Sequence, residues 1–193
     1  MQLSERFEAF PMRRILLILT FALFTTTLRA QSTWGGLHFG QTRDSARDVL
    51  SQQNITVTTS QDGTLRSDSD YSLWLPGLTQ ALPMVVSVHF DTNSHLSDVT
   101  LSLDVAGMRG DWGVHADPET LSTFSAERLT GALSGRYGAP LYRSSVCDSQ
   151  PTNASPFCIV SWRGENQTVE LQRSTSAAGP RLLVRYQPLA TNL

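Results

Sequence analysis

After its first 30 residues the sequence predicts a two-layer α+β fold: two tandem helix-plus-four-strand units, with an antiparallel sheet and both helices on one face. Three observations carry this. Several runs alternate apolar and polar residues with period two, most clearly at 84–90 and 99–105, which gives each run a core face and a water face. Short connections built from turn formers join the runs, and that fits antiparallel pairing. Two capped segments with helix-spaced apolar residues stand one at the head of each half.

Taken in order, the chain opens with a secretory signal. Arg13-Arg14 precedes an apolar run at 15–24, and Ala30 closes a cleavable stretch. The run is well short of the roughly 20 apolar residues a membrane span needs. The expected mature chain therefore begins near Gln31, is exported to the periplasm or the extracellular space, and keeps no stable membrane span. Residues 31–193 carry 11 Arg against 15 acids, a net charge of −4, and the chain has no Lys. That absence excludes Schiff-base, Walker A and kinase-type lysine chemistry. The acidic balance argues against a nucleic-acid partner.

The first helix starts at Thr42, a good N-cap, with Ala46, Val49 and Leu50 at helical spacing. Strands are predicted at 55–59 and at 71–75, with the Asp62-Gly63 turn between them and Pro76-Gly77 as a stop. Met84, Val86, Val88 and Phe90 alternate with Val85, Ser87 and His89. After the Asp91-Thr92-Asn93-Ser94 turn, Val99, Leu101 and Leu103 alternate with Thr100 and Ser102. A Gly-rich connection over 106–116 divides a first unit, 31–106, from a second, 107–193.

Asp117-Pro118-Glu119 opens the second helix as N-cap, N1 proline and first-turn acid. Leu121, Phe124, Leu129, Ala132, Leu133 and Tyr137 form its apolar stripe, with a break near Ser125. Gly138 and Pro140 end it. Strands follow at 141–146, 158–162, 167–173 and 181–187. Period two sets Val169, Leu171, Leu182, Val184 and Tyr186 inward, under Val49, Leu50, Leu121, Phe124, Leu129 and Leu133 of the helices. Ser87, His89, Thr100, Ser102, Glu170, Gln172 and Arg185 face the other way.

The only cysteines, Cys147 and Cys158, flank a turn-rich segment. Export favours pairing them across a hairpin of the second unit. Their spacing fits neither a redox C-x-x-C nor a zinc site.

Gly36-Leu37-His38-Phe39-Gly40-Gln41-Thr42, followed by a short helix, resembles the opening of small exported bacterial domains. Outer-membrane assembly lipoproteins of the SmpA/OmlA type have this Phe-Gly-x-Ser/Thr start, and so do the β-lactamase-inhibitor proteins. The latter are similar also in being tandem helix-plus-four-strand units with an exposed concave sheet face. Tyr137-Gly138-Ala139-Pro140 is similar to the Gly-x-Pro that closes such helices. The assembly lipoproteins anchor through a Cys after the apolar run; this chain has none there. The resemblance implies a two-layer binding domain.

Motifs for catalysis are missing: no Gly-x-Ser-x-Gly, His-Glu-x-x-His, Walker loop or Rossmann glycine set occurs. The four His (38, 89, 95, 115) are scattered, so no catalytic residue, metal ligand or cofactor is assigned. Trp162 belongs to the core. Trp34 packs on the first helix or stays loose. Trp74 falls on the water face, as a partner anchor or under a loop, and Trp112 lies in the connection. The leading expectation is a non-catalytic exported domain that binds another macromolecule, an envelope or extracellular protein, through its sheet face. Trp74, His89, Trp112 and Arg185 are the candidate contacts. The alternatives are an exported hydrolase of unfamiliar type, with His89, Asp91 and Asp104 converging in a cleft, and a structural envelope protein.

Overall fold

The computed structural model describes residues 33–74, 80–105, 107–108, 117–148 and 157–189. The signal peptide expected at 1–30, its cleavage point at Gln31, and the connection carrying Trp112 lie outside the described residues.

Helix α1 (Arg43–Gln52) begins where Thr42, in extended conformation, accepts a hydrogen bond from the Ser45 N–H at 3.4 Å. Ala46 and Leu50 are fully buried, whereas Val49 is half-buried. Strands β1 (Val57–Thr59) and β2 (Leu65–Ser67) form a hairpin around Asp62-Gly63. The sequence reading left β2 out: three residues are too few to display a period.

Strand β4 (Leu82–Phe90) takes two partners along one edge. Leu65 and Arg66 of β2 pair with Val88 and Ser87, and β3 (Tyr71–Leu73) pairs with Leu82 to Met84. Between them the Val86 N–H donates to Ser67 Oγ at 3.0 Å, so a side chain bridges the gap in the ladder. Strand β5 (Leu96–Leu103) returns after a turn that Asp91 holds, its Oδ1 accepting from the Asn93 and His95 N–H groups at 2.9 Å each. The register shifts by one residue between the His89–Asp98 and Phe90–Leu96 pairs. This bulge returns Leu96 to the core, where it is 3% exposed.

Helix α2 (Pro118–Tyr137) runs unbroken through Ser125, where a break was expected. Asp117 caps it, its carboxylate accepting from the Thr120 N–H at 3.0 Å and the Thr120 hydroxyl at 2.6 Å. Those bonds, the hydroxyl first, hold the Asp117 pKa below its ordinary value. Gly138 follows at φ 84°, a conformation that favours glycine.

The strand expected at 141–146 shortens to β6 (Tyr142–Arg143), followed by a 3₁₀ turn, Ser145–Asp148. The turn brings Cys147 to Cys158 with Cα atoms 4.7 Å apart, and the two form the disulfide. Strands β7 (Cys158–Arg163), β8 (Gln167–Ser176) and β9 (Gly179–Pro188) complete an antiparallel sheet of order β1-β2-β4-β5-β9-β8-β7-β6, with β3 also on β4.

Register explains the core. Val86, Leu101, Val184, Leu171 and Val160 lie side by side across five strands, and Val88, Val99, Tyr186, Val169 and Trp162 form the next row. All ten are at most 1% exposed. Helix α2 packs on β7, β8 and β9, and the buried residues of both helices join this same cluster. Burial also drives the Tyr186 phenol strongly upward in pKa.

Phe124 departs from the expected core. It is 40% exposed, with the Arg128 guanidinium 4.4 Å from its ring centroid. Ser122 and Ser125 are instead the fully buried residues on either side of it, and Ser125 Oγ lies 3.5 Å from Met108 Sδ of the core cluster. Phe90 and Leu103 are half-buried and pack at the margin of the core.

Candidate functional site

The sheet face turned away from the core is the candidate site. Strand alternation carries Arg66, Ser87, Thr100, Arg185, Glu170, Ser161 and Tyr142 onto it as one row from β2 to β6. A parallel row holds Val85, Ser102, Leu183, Gln172 and Ile159. The buried residues of both helices belong to the core cluster with the inward strand residues. The first row crosses seven strands, about 29 Å at their usual spacing.

The polar groups of this face are held in defined positions. Arg185 makes a two-pronged contact with Asp98, Nε to Oδ1 and Nη2 to Oδ2, each at 3.2 Å. Thr100 Oγ1 lies 3.4 Å from the same Asp98 Oδ1, and Asp98 is 8% exposed. Beside Asp98 in the ladder, His89 places Nδ1 3.2 Å from Thr64 Oγ1, and that hydroxyl also bonds Asp62. Glu170 Oε2 accepts from Gln172 Nε2 at 3.0 Å. Asp62, at the corner of the β1–β2 hairpin, has its pKa lowered to about 2 by the Ser60 hydroxyl first, then by the Thr64 N–H and hydroxyl.

His89 and Arg185 thus lie on one face, with Asp98, the partner of Arg185, opposite His89 in the ladder. Trp74 stands one residue beyond β3, on the side opposite buried Leu73, and is 63% exposed. Trp112 lies outside the described residues. Trp34 is buried, its ring edge-on to Tyr71 with centroids 5.3 Å apart.

The acids named for a cleft do not meet His89. Asp91 is engaged in its own turn, and Asp104 bonds the Gly107 N–H beyond the opposite end of β4–β5. The Asp104 N–H donates to the Pro83 carbonyl, and Pro83 is six residues from His89, about 20 Å along an extended strand. Among the described residues no group of three or more His, Cys, Asp and Glu side chains suits a metal ion.

Sequence reasoning passed over the apolar members of this face. Val85, Ile159 and Leu183 occupy outward positions in alternating strands, where polar residues are the norm. Tyr142 and Phe157, 56% and 60% exposed, stand at its β6–β7 end. The signal was present: an aliphatic residue at a water-facing position of an otherwise alternating strand breaks the pattern.

Comparison of the chain with protein-family models, with curated proteins and with solved structures returns no match in any of the three.

Proposed function

We propose that this chain is an exported, non-catalytic domain that docks another protein on the open face of its sheet. One observation carries the reading: that face combines a row in which Val85, Leu183 and Ile159 alternate with Ser102 and Gln172, and exposed aromatics at both ends, Trp74 at one and Tyr142 and Phe157 at the other. Aromatic anchors beside a rigid polar frame are the usual makings of a protein interface. Its size fits as well. A span of about 29 Å across the strands, by about 27 Å along them, approaches the roughly 800 Å² that each partner contributes to a stable complex. The Asp98–Arg185 pair adds a fixed, directional hydrogen-bonding element at the centre.

The finer architecture belongs to the same proposal. With β2 and β3 counted as one interrupted strand, each half is a helix followed by a four-strand meander, 31–106 and 107–193, and the last strands of the two meet as β5–β9. This order supports kinship with the tandem β-lactamase-inhibitor type of domain. The Cys147–Cys158 disulfide supports an oxidising compartment. Among the described residues no helix is long and apolar enough to cross a membrane.

The test is site-specific photo-crosslinking in the producing cell. A photoreactive residue at Thr100 or Gln172 is expected to yield one protein adduct of constant mass, while the same residue at Asp48 or Arg136, on the exposed helix surfaces, yields none. The double variant Trp74→Ser, Ile159→Ser is expected to lower that adduct at least tenfold with folding intact. Adducts of equal abundance from the helix positions, or none from the sheet face, refute the reading.

A further inference from the structure

Strand β1 stands at one edge of the sheet, and its ladder fixes which main-chain groups are left over. The Ser60 N–H donates to the Thr64 carbonyl and the Asp68 N–H to the Thr56 carbonyl, so residues 56, 58 and 60 are the ones that bond β2. Val57 and Thr59 therefore turn their N–H and C=O groups away from β2. Among the described residues no strand lies beyond them. Alongside runs a groove of about 380 Å³, with Arg47 and Ser51 of α1 on one bank and residues 54–57 on the other.

This edge carries no guard. Open strand edges invite pairing with another chain, and charges, prolines or bulges normally discourage it. Ile55-Thr56-Val57-Thr58-Thr59 has none of these: each residue is β-branched and uncharged, and the register with β2 is regular. The opposite edge differs. Strand β6 is two residues long, carries Arg143 and gives way to a 3₁₀ turn.

We propose that β1 pairs antiparallel with β1 of a second copy of this chain. One register uses every outward group of Val57 and Thr59. It sets Val57 of each copy opposite Thr59 of the other, where the two residues exchange both bonds, and it puts Thr58 on the two-fold axis. Centring on Val57 instead calls on Ile55, whose N–H already donates to the Leu50 carbonyl. Self-pairing sets each strand against its own sequence, and like charges directly opposite destabilise a sheet; β1 has no charge to oppose. Because the same strand serves both copies and β6 offers no comparable edge, the contact closes at two. Thr58 shares the open face with its ladder partner Arg66, so the pairing joins the two open faces into one surface.

The experiment is cysteine cross-linking in the producing cell with a mild oxidant added. Thr58 is exposed, and across the axis its two Cα atoms come about 4.5 Å apart, within disulfide reach. Thr58→Cys is expected to give a covalent dimer of this chain. Thr56→Cys, also exposed, is expected to give at least tenfold less, because its two copies stand about 14 Å apart along the strands. Thr58→Lys keeps the bonds to β2 and sets like charges on the axis. In sedimentation of the disulfide-bonded chain, the parent is expected to associate to a dimer and Thr58→Lys to remain monomeric. Equal cross-linking of Thr56→Cys, no Thr58→Cys dimer, an adduct with another protein in its place, a monomeric parent, or a dimer that survives Thr58→Lys overturns the proposal.

Discussion

Asp62 illustrates how much one carboxylate does at an exposed turn. It accepts from the Ser60 hydroxyl and from both the N–H and hydroxyl of Thr64, and Thr64 in turn meets His89 on the open face. Because its pKa is lowered to about 2, the fold favours the ionised form. The contribution is complete above the ordinary carboxylate range and is lost as pH falls through about 2. The Thr64 amide shift is therefore expected to titrate with a midpoint near 2; a midpoint near the ordinary 3.8 contradicts this. Asp98 poses the complementary case, a nearly buried carboxylate matched to one guanidinium. Arg185→Gln leaves that charge without its fork and is expected to cost about 1 kcal/mol, discounted because Arg185 is 38% exposed. Asp98→Asn in the same chain is expected to recover much of the loss in a double-mutant cycle. Strict additivity of the two substitutions counts against the pairing.

At the scale of elements, the disulfide decides how the β6 region is built. A two-residue strand has little to hold it, and the 3₁₀ turn that follows keeps Cys147 beside β7 through the Ile159 N–H donating to Ser144 Oγ at 3.0 Å. Cross-linking residues 11 apart removes loop-closure entropy from the unfolded chain, worth about 3 kcal/mol. The variant Cys147→Ser, Cys158→Ala is expected to lower Tm by several degrees and to expose the amides of β6 to exchange before those of β8 and β9. Uniform exchange across the three strands contradicts a local role. The pairing was readable from the turn-rich segment and from the export expected of the N-terminal sequence. The shortness of β6 was not, because residues 141–146 carry a strand-like composition whose path the bridge bends into a 3₁₀ turn. The second helix was legible from its Asp-Pro-Glu start to its Gly138 end, since caps are local chemistry. Phe124 was misplaced because helical spacing alone does not tell which of two adjacent stripes is buried; Ser122 and Ser125 are the buried ones. Strand β2 was missed because three residues show no period, and its second partner lies 20 or more residues away in β4.

For the whole molecule, the decisive feature is the division of one sheet into two faces. Period two made that division legible: every inward residue named on β5, β8 and β9 is buried except half-buried Leu103 at a strand end. The pairing of β5 with β9 joins residues more than 80 positions apart, and no local pattern carries it. The candidate site was legible in the same measure. His89 and Arg185 were placed on the open face by alternation, and Asp98 shares it, two residues before Thr100; its partnership with Arg185 was not readable because it spans the β5–β9 pairing. The docking proposal rests on this assignment of faces. Thermal unfolding of Val86→Asp, Leu101→Asp and Ser102→Asp tests it most directly. The first two put a carboxylate into a fully buried row and are expected to abolish cooperative unfolding. The third sits one residue from Leu101 on the opposite face and is expected to keep Tm within a few degrees of the parent. Equal stability of the three variants, or loss of folding in Ser102→Asp alone, would contradict the account.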